Sequence, residues 1–81
     1  MKTDRELLEL AAKAAGIDGR WDKGARAFVP KIGPIFWCPL TDDGDALRLA
    51  VALKIILMPY PTEAETRRAI VRAAAKIGEA K

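Results

Sequence analysis

The sequence predicts a small α+β domain, with three helices packed on a two- or three-stranded sheet in the order α-β-β-α-β-α. Three observations predict it. Threonine-led cap signatures at Thr3, Thr41 and Thr62 each precede a stretch with apolar residues at helical spacing. Two short bulky runs, residues 25–29 and 35–37, lie between the first two signatures and are punctuated by Gly and Pro as strands are. Finally, 81 residues suffice for one domain with one small core, and no repeat, low-complexity segment or linker divides residues 1–81.

The first helix opens on Thr3-Asp4-Arg5-Glu6, the Ser/Thr-x-x-Glu pattern of a capping box. Leu7, Leu10, Ala11 and Ala14 form one apolar stripe, widened by Leu8, Ala12 and Ala15. Gly16 is the expected left-handed stop and Ile17 the apolar residue after it. Asp18-Gly19 and Lys23-Gly24 then punctuate a loop that holds Trp21. Residues 25–29 are expected as a strand, with Ala25, Ala27 and Val29 on one face and Arg26 and Phe28 on the other. Pro30 confines it to an edge or a strand end. Gly33-Pro34 suggests a turn into Ile35-Phe36-Trp37, and the two runs are expected to pair as a hairpin.

The second helix is expected from Thr41 or Asp42. Asp42, Asp43 and Asp45 fall in its first turn, where carboxylates meet the positive end of the helix dipole, worth ~0.3–1 kcal/mol each. From Ala46 to Leu53 the one polar break is Arg48. A helix apolar on nearly all sides is expected to be surrounded and to form the core. Residues 55–58 are expected as a buried strand, ended by Pro59-Tyr60-Pro61. Thr62-Glu63-Ala64-Glu65 is a second capping box. The last helix carries Ile70, Ala73, Ala74 and Ile77 as its stripe, with Val71 beside them, and Gly78 is its expected end.

Composition excludes several kinds of chemistry. The chain has no His, Ser, Asn or Gln, and a single cysteine. The usual nucleophile–base pairs are therefore missing, and Cys38 has no imidazole to activate it. One Cys cannot supply a zinc site. Without Asn and Gln the side chains that read adenine are gone. Four threonines are the aliphatic hydroxyls, three of them at helix starts. No enzyme activity, cofactor or metal is expected. Residues 46–60 fall short of the ~20 apolar residues that span a bilayer, and the charged N-terminus lacks a signal peptide's apolar core. One cysteine rules out an internal disulfide, and a cytoplasmic setting fits.

The segment Trp37-Cys38-Pro39-Leu40-Thr41-Asp42-Asp43-Gly44-Asp45-Ala46-Leu47-Arg48-Leu49-Ala50-Val51 resembles the signature of the phage ABA sandwich domain family, small bacteriophage and prophage proteins. Residues 4–17 and 66–78 are similar to the family's first and last helices, in the same order. Together these cover roughly half the chain. The resemblance implies a phage or prophage origin; the family brings no established activity. Three departures stand out. Cys38 replaces the usual Asn, removing an amide-based turn contact. Lys54 stands near a Gly that commonly ends the second helix, and a left-handed Lys costs ~1 kcal/mol, so this helix is expected to end differently or run longer. The link from Met58 to Thr62 is shorter than in relatives, which would leave a sheet edge open.

Candidate sites each have a plainer explanation. Asp42, Asp43 and Asp45 are hard ligands suited to a divalent cation, but the spacing lacks a calcium site's long loop and terminal Glu; capping fits better. Arg68, Arg72 and Lys76 recur at i, i+4 and i+8 with Arg67 beside them, a stripe that could meet phosphates. The alternative is a solvated face paired with Glu63, Glu65 and Glu79. Net charge is +3, with the excess mildly toward this helix. Among the aromatics, Trp21 is the best candidate for an exposed partner anchor; Trp37 is expected in the core and Cys38 half-buried. Partner-binding candidates are thus Trp21, Arg67, Arg68, Arg72 and Lys76. The function expected is non-enzymatic binding of a protein partner or a second copy, for instance a phage accessory protein acting on a host defence system. The alternative is a nucleic-acid-associated protein using the basic last helix. A homodimer is expected through the strand edge at residues 55–58, because half the chain is apolar.

Overall fold

Thr3 opens the first helix as the capping-box pattern predicts. The structure, a computed structural model, describes residues 2–33, 36–56 and 61–81. Helix α1 spans Asp4–Ala15. The Thr3 hydroxyl accepts from the Glu6 amide (3.2 Å), and the Glu6 carboxylate accepts from the Thr3 amide (3.1 Å). Gly16 ends the helix at φ 73°, and the Ile17 amide reaches back to the Ala12 carbonyl (2.8 Å), closing the cap. Leu7, Leu8, Ala11, Ala12 and Ala14 are buried.

The hairpin forms one step earlier in the chain than expected. Strand β1 (Gly19–Asp22) pairs antiparallel with β2 (Ala27–Pro30), Trp21 opposite Phe28. The segment expected to be a loop around Trp21 is therefore a strand, and Ala25 and Arg26 belong to the turn. Gly19 explains the error. It looked like a breaker, yet it sits where its partner strand approaches closely. A Cβ there would fall on the Val29 carbonyl oxygen and within 2.7 Å of Phe28 Cε1. The turn uses Asp22, whose carboxylate accepts from the Gly24 amide (3.0 Å), and Arg26 at φ 52°. Pro30 ends β2, as a strand-end proline should. The expected pairing of this run with residues 35–37 survives as a single bridge, Phe28 to Trp37. Pro34 and Ile35 lie outside the described residues. Phe28 and Trp37 meet edge to face, with ring centroids 5.7 Å apart, and both are buried.

Helix α2 spans Asp43–Leu53, and Asp42 is its cap: its carboxylate accepts from the Asp45 amide (2.7 Å). The helix ends at Lys54 despite the side chain. Lys54 adopts φ 55°, its amide bonds back to Ala50 and Val51, and the Ile55 amide returns to the Ala50 carbonyl (2.9 Å). The expectation of a different or later end is thus corrected; these backbone bonds outweigh the ~1 kcal/mol of left-handed strain. Ile55 and Ile56 follow without strand structure; Leu57, Met58, Pro59 and Tyr60 lie outside the described residues. The described order is α-β-β-α-α, three helices and a two-stranded sheet.

Helix α3 runs from Glu63 to Ala80 behind the Thr62 cap, whose hydroxyl accepts from the Glu65 amide (3.1 Å). Among the described residues no return bond from Glu65 completes the box. Gly78 does not end this helix. It lies inside it, buried against α1, where a Cβ would fall on the Leu10 carbonyl oxygen and 2.9 Å from the Leu10 carbonyl carbon. The buried face is Ile70, Val71, Ala74, Ala75 and Gly78, so the stripe is rotated from the expected one and Ile77 is 37% exposed. Small residues on both sides let α1 and α3 form the main helix pair. The core joins this pair to Phe28, Trp37, Ala46, Leu49 and Ala50.

Candidate functional site

The turn before α2 gathers a connected set of polar contacts. The Cys38 carbonyl accepts from the Thr41 (3.1 Å) and Asp42 (2.9 Å) amides, which folds the segment back onto the helix start. Asp45 is the buried charged residue of the described chain, 7% exposed. One of its oxygens accepts from the Cys38 amide (3.1 Å), the other from Arg48 Nη2 (2.6 Å). Cys38 is half-buried, as expected. The Asp45 carboxylate ties the Cys38 backbone to the helix start.

Asp43 faces the other way and pairs with Arg67 Nη1 (2.5 Å), while Arg67 Nε donates to the Leu40 carbonyl (2.9 Å). Arg67 thereby clamps α3 to the turn, with its side chain 18% exposed. All three carboxylates of the acidic turn are engaged by the fold. Among the described residues no three His, Cys, Asp or Glu gather to hold a metal ion.

The residues expected to bind a partner do not converge. Trp21 is half-buried in β1 and packs against the core, so it is no free anchor. Arg67 faces inward. Arg68, Arg72 and Lys76 do share a surface: with Lys2, Leu7 and Ala75 they line a shallow groove of about 260 Å³ beside α1. Arg68 pairs with Asp4 (3.1 Å) and Lys2 with Glu79. The expected pairing along α3 with Glu63, Glu65 and Glu79 gives way to pairs between helices, because α3 lies directly against the start of α1. Arg72 and Lys76 point to solvent.

An apolar surface that was not expected lies on α2. Leu47 is 58% and Val51 70% exposed, and Ala52 is exposed beside them. The helix buries Asp45, Ala46, Leu49 and Ala50 and leaves its opposite face in water, so it is not surrounded on most sides. Leu47 also borders a groove of about 320 Å³ between α2 and α3, walled by Ala46 and Ile70 and rimmed by Asp43, Glu63 and Arg67. A signal for this was present. A helix apolar all round needs neighbours on every side, and a chain this short has too few elements to supply them.

Among the described residues no helix is long and apolar enough to cross a membrane. No protein-family model, curated protein or solved structure matches the chain.

Proposed function

We propose that this chain is a non-enzymatic binding protein of phage or prophage origin, working in the cytoplasm, whose contact surface is the outer face of α2. The observation that carries the reading is the exposed Leu47–Val51 stripe. Fully burying such a side chain is worth about 1.5–3 kcal/mol, so leaving two of them in water on one helix face favours a partner. The lack of His and Ser and the engagement of every carboxylate in the acidic turn favour binding over catalysis. The phage origin rests on the family resemblance of residues 37–51. Action on a host component, such as a defence system, is the form that origin suggests.

A photo-crosslinking amino acid placed at Val51 tests the reading in cells. Adducts at position 51, and none at Lys23 on the hairpin turn, are the expected result. No adduct at position 51 contradicts it. A second reading, contact with a nucleic-acid backbone, is favoured by the convergence of Lys2, Arg68, Arg72 and Lys76 on one groove. It predicts a salt-dependent shift of labelled DNA or RNA that is lost in Arg72→Glu, Lys76→Glu.

A further inference from the structure

We infer that the occupant of the α2 face is a second copy of the same chain, packed antiparallel across a two-fold axis. The inference rests on the binding role proposed above and names its partner. Asp43, Leu47 and Val51 follow at i, i+4 and i+8 along α2, and Lys54, three residues beyond Val51, is the exposed residue that caps the helix. The stripe is therefore acidic at its start, apolar in the middle and basic at its end. Laid antiparallel on itself, it becomes self-complementary. Leu47 meets the second copy's Val51, and Asp43 meets its Lys54, each contact made twice. Both pairings need the same axis, because the midpoint of 43 and 54 and the midpoint of 47 and 51 fall in the same turn, beside Leu49.

The charges are placed to serve it. The Asp43 side chain is mostly exposed even while it pairs with Arg67, so it has acceptor capacity left. Arg48 flanks the axis and would approach its own copy, but Asp45 already holds its guanidinium at 2.6 Å. An unrelated partner has no reason to match an acid and a base set symmetrically about a two-residue apolar centre; a second copy matches them by construction. The helix is 11 residues long, about 16 Å. That is short beside the ~800 Å² per partner of stable complexes, so a weak, concentration-dependent dimer is expected.

Sedimentation equilibrium of the purified full chain, from micromolar upward, tests this. The wild type is expected to move toward twice the 8.8 kDa monomer mass as concentration rises. Val51→Glu, which breaks no bond of the fold, is expected to remain monomeric with unchanged helix content. Asp43→Lys and Lys54→Asp each place like charges opposite one another and are expected to be monomeric. Mixed together, they restore the opposite-charge pairs and are expected to form a heterodimer. A wild type that stays monomeric at a few hundred micromolar overturns the inference, as does a dimer that persists in Val51→Glu. If folded reversal variants fail to pair on mixing, the antiparallel arrangement falls. If Asp43→Lys does not fold, Val51→Glu and Lys54→Asp alone decide. A position-51 adduct with another protein, alongside a monomeric pure chain, sinks the inference and leaves the binding role standing. No adduct and no dimer sinks both.

Discussion

Gly78→Ala is the sharpest test of how α1 and α3 pack. Glycine inside a helix is a poor helix former, and alanine in its place would normally gain about 1 kcal/mol. Here the added methyl meets backbone. It falls on the Leu10 carbonyl oxygen, 2.9 Å from the carbonyl carbon and 3.3 Å from Leu10 Cα. A flexible side chain could turn away, but a carbonyl in α1 moves only if the helix moves. Such a shift loosens the seam of Ala11, Val71, Ala74 and Ala75, all at most 2% exposed. Overpacking a tight core costs typically 1–3 kcal/mol, and a backbone clash belongs at the upper end. After the helix-propensity gain, a net loss of about 2 kcal/mol remains. In a domain of this size that lowers Tm by roughly 8–16 °C. Thermal unfolding followed by far-ultraviolet circular dichroism measures it. An unchanged or higher Tm would refute the close crossing and show Gly78 to be a simple helix-end residue.

Three further outcomes follow from the same geometry. Leu49→Ala should cost about 2–5 kcal/mol in urea unfolding, while Leu47→Ala, on the exposed face, should change stability by less than about 0.5 kcal/mol. Equal losses would place both residues in the core. Asp45→Ala leaves the half-buried Cys38 amide without its acceptor and should cost about 1–3 kcal/mol, whereas Arg48→Ala, removing the solvent-facing partner, should cost less. The Thr3 backbone amide, then its hydroxyl, bond to the Glu6 carboxylate and hold its pKa below the ordinary 4.5. A carboxyl lowered in the folded state stabilises above its unfolded pKa, and this is lost as pH falls through the folded value. The protection of the Thr3 amide relative to its intrinsic exchange rate should therefore fall in that acid range, and Glu6→Gln should flatten the change.

Local chemistry was legible in the sequence, and long-range chemistry was not. Thr3, Asp42 and Thr62 cap their helices because capping needs only residues three apart. Trp37 reads as core because a bulky ring beside Pro39 has few other uses. Gly19 and Gly78 misled for one reason. Each is glycine because another segment's backbone lies against it, and a breaker in the sequence cannot be told from a close contact until the partner is known. Arg67 looked like part of a basic stripe; its purpose is set by the Leu40 carbonyl and Asp43, far off in the chain. The outer face of α2 was hidden by its own hydrophobicity. Periodicity finds a buried face when the other face is polar, and here Leu47 and Val51 filled it with apolar side chains.

A concentration series of backbone amide spectra on the labelled protein tests the pairing of α2 with its own copy. Chemical shifts that move with concentration are predicted at Asp43, Leu47, Arg48, Val51 and Lys54, with the hairpin turn at Lys23 and Gly24 and the groove residues Arg72 and Lys76 unmoved. Spectra that do not change, or shifts confined to Arg72 and Lys76, would contradict the α2 face as a contact between two copies of the chain.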